Sequence, residues 1–315
     1  MDRNFWILVI MLSSLWGFSQ SDSLDIQKFS NKVTVVPNYS YSNMYLKIFG
    51  KKTNIQYRPE GNHSVGLEAS YKWLGLGFGL SVFDDTDNEW IAREVSYDIR
   101  VDIHARRLFV GSNFQYFRGF SIKDIPDNIP QDKVEEIRPN MDLINFGMNA
   151  IYAFNKKFSF RAIYKNDERM SQSRGSFLAG ISQFYTRISS KSSFFPDELV
   201  TDDRIRNYSS FGKFYSVFAD LGYQYAFVYK NWYAAPSFIL GGGTQYQNYI
   251  YNQNIYKKEF RLALKYIISI PIGYNGDQFF YGVNFNYDYN RMQLNHARMQ
   301  LQLTSLRVFF GMRLF

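Results

Sequence analysis

Apolar and polar residues alternate with a period of two along much of this chain, the signature of strands whose two faces differ in chemistry. From Val283 to Asn290 every odd position is apolar or aromatic and every even one is Asn or Asp. Tyr97, Ile99, Val101 and Ile103 share one face of their segment, and Asp98, Arg100, Asp102 and His104 share the other. Val65–Trp73 alternates in the same way. The longest apolar line runs Phe260, Leu262, Leu264, Tyr266, Ile268, Ile270, Ile272, Tyr274, with Arg261, Lys265 and Ser269 opposite. Another runs from Tyr215 to Tyr229 through Val217, Ala219 and Leu221, facing Ser216, Asp220, Gly222 and Gln224. Eight alternations cover about 25 Å, enough for a tilted strand to cross a bilayer. In Leu74–Ser81 the second face is largely glycine, which makes room for inward side chains of neighbouring strands.

This reading places strands at 32–49, 52–58, 63–73, 74–83, 92–105, 106–119, 141–155, 157–170, 173–190, 206–229, 231–248, 257–274, 277–293 and 297–315. The expected fold is all-β: a closed antiparallel transmembrane up-and-down β-barrel of 14 strands, or 12 if a hairpin near 52–83 is lost. A soluble sandwich also alternates, but its strands run to about 5–6 residues, and these lines are longer and tipped by Tyr. Counting back from the carboxyl end makes Lys230-Asn231 and Asn275-Gly276-Asp277 short periplasmic turns, and 191–205, 249–257 and 291–299 outer loops. The same count puts the long polar segment 120–140 on the periplasmic side, against the usual asymmetry of loop lengths.

Composition sharpens the picture. Of 315 residues 46% are hydrophobic and 19% aromatic, with a mean hydropathy of -0.31, too polar for a bundle of membrane helices. The absence of cysteine excludes thiol nucleophiles, thiolate metal sites and disulfides. The net charge of +8 contains no basic run of five residues, so it reads as solvated surface and not as a nucleic-acid footprint. Residues 1–19 read as a signal peptide, with Arg3, an apolar core from Phe5 to Leu12, and small residues Gly17 and Ser19 at the cleavage positions. Residues 20–315 form the barrel domain, and beyond Gln20 no apolar run approaches ~18 residues. The chain closes on Leu306–Phe315, where Phe310 and Phe315 are expected to be read by the barrel-insertion machinery. The phase there is imperfect: Leu306, Val308 and Phe310 share one face, while Phe309 and Phe315 fall on the other, so a bulge or an inward Phe is expected.

Several stretches carry a family likeness. Tyr57-Arg58-Pro59-Glu60-Gly61-Asn62, with Val65-Gly66 and Tyr71-Lys72-Trp73-Leu74-Gly75, resembles the opening region of a Bacteroidota outer-membrane β-barrel family of unknown function. Lys157-Phe158-Ser159-Phe160-Arg161 and Gln172-Ser173-Arg174-Gly175-Ser176-Phe177 resemble its middle, and Gly222-Tyr223-Gln224-Tyr225 a later strand. The resemblance spans most of the mature chain and implies an outer-membrane barrel in a Gram-negative envelope. It brings no activity and no catalytic residue.

Candidate chemistry is sparse. His63, His104 and His296 are the only histidines, and no Ser-His-acid spacing accompanies them. A lipid-modifying enzyme is therefore the third reading. Asp84-Asp85-Thr86-Asp87-Asn88-Glu89 has oxygen density but lacks the glycine turn and spacing of a calcium loop, so neither a metal nor a cofactor is expected. Alternation places Glu68, Lys72, Asp98, Arg100, Asp102, His104, Arg161, Lys165, Asp220, Arg261, Lys265 and Asp288 opposite the apolar lines, as lumen-lining residues. Such charges line a wet pore or neutralise one another in a plugged lumen. The first expectation is a non-enzymatic channel or solute-uptake pore, and the second a plugged accessory barrel of an envelope assembly. Its surroundings would be outer-membrane lipid, lipopolysaccharide and the insertion machinery, with no nucleic acid. Amino-terminal sequencing of the exported protein should start at Gln20 or Ser21; a chain still beginning at Met1 would refute the leader.

Overall fold

The computed structural model describes residues 25–29, 32–49, 54–59, 62–82, 95–123, 137–191, 208–251, 255–293 and 298–314. The elements are β1 (Ile26–Lys28), β2 (Val33–Phe49), β3 (Asn54–Arg58), β4 (His63–Tyr71), β5 (Leu74–Val82), β6 (Val95–His104), β7 (Leu108–Lys123) and β8 (Ile137–Ala153). A π-helical turn (Arg161–Lys165) and β9 (Glu168–Met170) follow, then β10 (Arg174–Ser189), β11 (Tyr208–Tyr229), β12 (Trp232–Ala234) and β13 (Ser237–Tyr251). β14 (Ile255–Asn275), β15 (Phe279–Gln293) and β16 (Arg298–Leu314) complete the chain. Among the described residues no helix is long and apolar enough to cross a membrane.

Each long strand pairs antiparallel with its neighbours in the order β2-β4-β5-β6-β7-β8-β10-β11-β13-β14-β15-β16, and β16 pairs back onto β2. The twelve strands of that series therefore form a closed ring. β12 and β13 act as one ring strand interrupted at Ala235-Pro236: β12 pairs with β11 and β14, and proline, without an N–H, cannot carry the ladder through. Segments 52–58 and 157–170, counted as strands on periodicity, do not enter the ring. β3 bonds to the ends of both β2 and β7, bridging past β4, β5 and β6. Residues 157–170 fold into the π-helical turn and β9, and β9 pairs only with β1. Removing 157–170 from the count reverses every strand before it. Segment 120–140 then leaves from the same end as the connections after β2, β5, β10, β13 and β15, here the loop end; the opposite, turn end carries Lys72-Trp73, Lys230-Asn231 and 276–278. Residues 124–136 themselves lie outside the described residues, as do the leader 1–19, the acidic stretch 84–89, His296 and Phe315.

The outer face is apolar. Leu262 is 84% exposed, Phe260 75% and Phe177 71%, and Leu67, Phe78, Ile99, Val217, Leu240 and Val308 stand out on neighbouring strands. The inner face is packed at both ends. At the loop end Met44, Leu46, Ile48, Tyr57, Phe117, Phe120, Leu143, Phe214, Met292 and Met299 form one core inside the ring. Gly119 makes that core continuous: with φ 85 it sits in a bulge where the register of β7 on β8 shifts, so Phe120 and Ile122 join Phe117 on the inner side. At the turn end Ile26, Ala153, Phe158, Phe160, Ala162, Ile163, Met170 and Tyr233 form a second core. Phe120→Ala, which empties a fully buried site in the loop-end core, should cost about 3–5 kcal/mol in urea unfolding of the folded chain; a loss below about 1 kcal/mol would mean that this core is not packed.

Candidate functional site

The two cores leave a belt of polar and charged side chains between them. Its organisation depends on glycine. On neighbouring strands Glu68 of β4, Gly77 of β5 and Arg100 of β6 stand opposite one another in a single row. Arg100 Nη1 donates across the gap to Glu68 Oε1 at 3.3 Å, and its Nη2 donates to Asp98 Oδ2 at 3.1 Å. A Cβ on Gly77 would meet Glu68 Cγ at 2.9 Å, so the missing side chain creates the passage. Gly75 and Gly79 have ordinary clearance at 3.7 and 3.8 Å and play no such part. The same device recurs on the far wall, where Asp220 of β11, Gly241 of β13 and Lys265 of β14 form a row. Lys265 Nζ lies 3.2 Å from Asp220 Oδ2, both side chains fully enclosed. A Cβ on Gly241 would collide with Asp220 Oδ1 and meet Lys265 Cε at 2.6 Å. Ser182 Oγ donates to Asp220 Oδ2 at 2.7 Å, and the ammonium stacks over Phe184 at 5.1 Å and Phe218 at 5.4 Å.

A third network ties the turn-end insert to the ring. Arg161 donates twice to Asp167, at 3.0 Å from Nε and 2.6 Å from Nη2. Arg106 Nε donates to Glu168 Oε2 at 3.2 Å, and Ser159 Oγ donates to the same oxygen at 2.6 Å. Lys165 Nζ lies 3.5 Å from Asp167 Oδ2 and donates to the Lys72 carbonyl. Burial pulls the Lys165 ammonium below its ordinary range, with Asp167 offsetting part of the effect. Burial also opposes the charge of Arg161, but the hydrogen bonds and charge of Asp167, with Glu168 behind it, outweigh that and hold the guanidinium above its usual value. Around the mouth, Tyr233 Oη donates to the Ile163 carbonyl at 3.1 Å, Asn275 Nδ2 to the Glu168 carbonyl at 2.8 Å and Arg313 Nε to the Asn166 carbonyl at 3.1 Å. The insert is thus bonded to β12, β14, β16 and the β4–β5 turn together, and spans the turn end of the ring.

The sequence-derived residues now have positions. Glu68, Asp98, Arg100, Asp102 and His104 line one wall, and Asp220 and Lys265 the other. Asp288 of β15 lies on the inner-facing register near Lys265, and Arg261 pairs with Glu259 at 2.7 Å near the loop end. Lys72 is not on the inner wall. It occupies the β4–β5 turn with φ 52, exposed, its ammonium over the Tyr71 ring at 5.0 Å, because the alternation ends one residue before it. Arg161 and Lys165 are interior, but on the π-helical turn and not on a strand. Phe310 faces outward at 49% exposure while Phe309 is inward and buried. Alternation passed over Arg307, whose Nη1 donates to Glu68 Oε1, and Arg313; both share the inner phase that Phe309 marks. Arg106, Asp167 and Glu168 lie outside the regular strands of the ring, where periodicity carries no signal.

Asp102, His104, Glu68, Arg307, Tyr164 and Lys165 line a cavity of about 40 Å³. That is room for on the order of two or three waters. His104 is 5% exposed and neither ring nitrogen has a protein partner. His63 is on the outer face, with Nδ1 bonded to the Tyr39 hydroxyl.

A family model described as a domain of unknown function, DUF4421, matches residues 20–313. The chain belongs to the DUF4421 family. No curated protein matches it. Among solved structures, this DUF4421 chain is similar to the outer membrane protease OmpT from Escherichia coli, at 7% identity over 93% of this chain and 99% of that one, with a TM-score of 0.43. It is also similar to the translocator domain of the autotransporter NalP from Neisseria meningitidis, at 9% identity, 98% and 96% coverage and a TM-score of 0.43. The toluene transporter TodX from Pseudomonas putida follows at 8% identity, 90% coverage of each chain and a TM-score of 0.29. No role passes from these proteins to the DUF4421 chain.

Asp220→Asn leaves the Lys265 ammonium buried without its counter-charge and should lower stability by about 3–5 kcal/mol in urea, whereas Asp220→Leu with Lys265→Met should stay within about 1–2 kcal/mol of the parent. Equal losses in the single and double variants would show that the two side chains do not act as a pair.

Proposed function

We propose that this chain is a membrane-spanning β-barrel of a Gram-negative outer membrane that works with its lumen closed, as a structural or accessory barrel of an envelope assembly. The observation that carries this reading is the packing of the ring interior at both ends. Between the loop-end core and the turn-end insert lies a belt in which Glu68 pairs with Arg100 and Asp220 with Lys265 across glycine rows. An open solute pore, the use that inward charges first suggest, would require both packings to be absent.

Placement in a membrane is supported by the outer wall. A continuous apolar surface on a closed ring is unfavourable in water and matches the lipid-facing band of a transmembrane barrel. Its ends suit the two sides: the turn end, where 72–73, 105–107, 230–231 and 276–278 join strands through two or three residues and 154–173 forms the insert, faces the periplasm, and the loop end faces outward. The leader at 1–19 supplies export, and Phe310 with Phe315 supplies the signal for insertion. The reading assigns no catalysis. His104 is buried with no protein partner on either ring nitrogen and, among the described residues, no acidic partner completes a catalytic set around it, and His63 is held by Tyr39 on the outer wall.

Purified, heat-modifiable protein in planar bilayers should show no steady conductance. Stable unitary currents from the intact chain would overturn the closed-lumen reading and restore the pore.

A further inference from the structure

Charge on the outer wall of β10, β11 and β14 is confined to one level. The outward line of β11 from Tyr215 to Tyr229 carries none, nor does that of β14 from Phe260 to Tyr274 or that of β10 from Phe177 to Tyr185. One outward position further toward the loop end stand Lys213, Lys258 and Arg187. The ladder aligns them: Arg187 lies opposite Lys213, Lys213 opposite Asn248, and Asn248 opposite Lys258. Three cations thus occupy one row across four strands spaced about 4.8 Å apart.

Like charges directly opposite on one face repel. Asp142 relieves only Arg187, at 3.6 Å, and the Arg187 Nε donor still has no partner. Lys213 and Lys258 are exposed and have no carboxylate partner among the described residues; Lys213 rests over the Phe211 ring at 5.3 Å. Immediately toward mid-height lie Tyr215, Tyr246 and Phe260, the last two in ring contact at 5.1 Å, and then the bare apolar wall. A ligand that answers every part of this surface carries a multivalent anion at one end and long apolar chains at the other. The turn end of the same strands has no such row: the β11 and β14 lines finish on Tyr229 and Tyr274, followed by the single turn cation Lys230.

Resting on the membrane placement argued above, we infer that Arg187, Lys213 and Lys258 form a binding site for a lipid of the loop-end leaflet that carries phosphate monoesters on its headgroup. The phosphate seats on the cation row, and the acyl chains lie down the outer wall of β10, β11, β13 and β14.

The test is native mass spectrometry of the full chain released from neutral detergent micelles. The micelles hold either an acylated disaccharide bearing two phosphate monoesters or the same lipid without phosphates. The phosphorylated form should be retained and its dephosphorylated counterpart lost. Each cation contributes about fivefold, so R187Q/K213Q/K258Q should weaken retention on the order of a hundredfold. K230Q, at the other end, should leave it unchanged. Equal retention of the two lipids, or equal loss in K230Q and the triple variant, overturns the site. Complete displacement by millimolar inorganic phosphate also overturns it, since the acyl chains would then contribute nothing. Insertion into phosphatidylcholine vesicles, read as heat-modifiability and protection from added protease, separates the two claims. A chain that inserts there but retains no phosphorylated lipid refutes this inference alone; a chain that never inserts refutes it together with the membrane placement.

Discussion

Everything in this structure depends on the closure of the backbone hydrogen-bond circuit where β16 pairs with β2. An edge strand leaves a row of amide and carbonyl groups unpaired, and an apolar outer wall offers them no partners, so each orphan costs several kcal/mol. Pairing β16 back onto β2 removes both edges at once. The circuit also fixes how much interior has to be filled. Twelve strands enclose a space that the side chains of their inner faces, with one inserted segment and β3, are able to occupy.

Filling that space brings charges of both signs into a confined volume, and the chain resolves this by geometry more than by composition. Cations reach anions two strands away across a glycine, in the Glu68-Gly77-Arg100 row and again in the Asp220-Gly241-Lys265 row. A side chain between them would separate each pair, and in the buried Asp220-Lys265 row it would leave two desolvated ions in place of a neutral couple. The glycines therefore act electrostatically. Their absent atoms set the distance over which opposite charges meet.

How much of this was legible in the sequence follows from what periodicity reports. Alternation is a property of one strand, and it located each long segment of the ring and the side of the wall to which Asp98, Arg100, Asp220 and Lys265 belong. Register is a property of two strands, so no single-strand pattern could reveal that Arg100 meets Glu68 or that Lys265 meets Asp220. Residues 157–170 misled for a physical reason. Phe158, Phe160, Ala162 and Tyr164 keep a period of two, yet those apolar groups are buried against the turn-end core from a compact insert and not from a wall. Lys72 shows the opposite failure, a correct strand read two residues too far, into a turn with positive φ. Arg307 was hidden because the aromatic residues of β16 fall on both faces, blurring the phase that would have placed it inside.

The bridging position of β3 has a mechanical consequence. Because β3 bonds β2 to β7 directly, the loop-end rim is completed without β4, β5 and β6, which form a short panel framed by β2, β7 and β3. Elsewhere on the circumference a strand that lost its last residues would breach the rim. In the panel it would not, so the lengths of these three strands are free of the closure constraint that governs the rest of the wall.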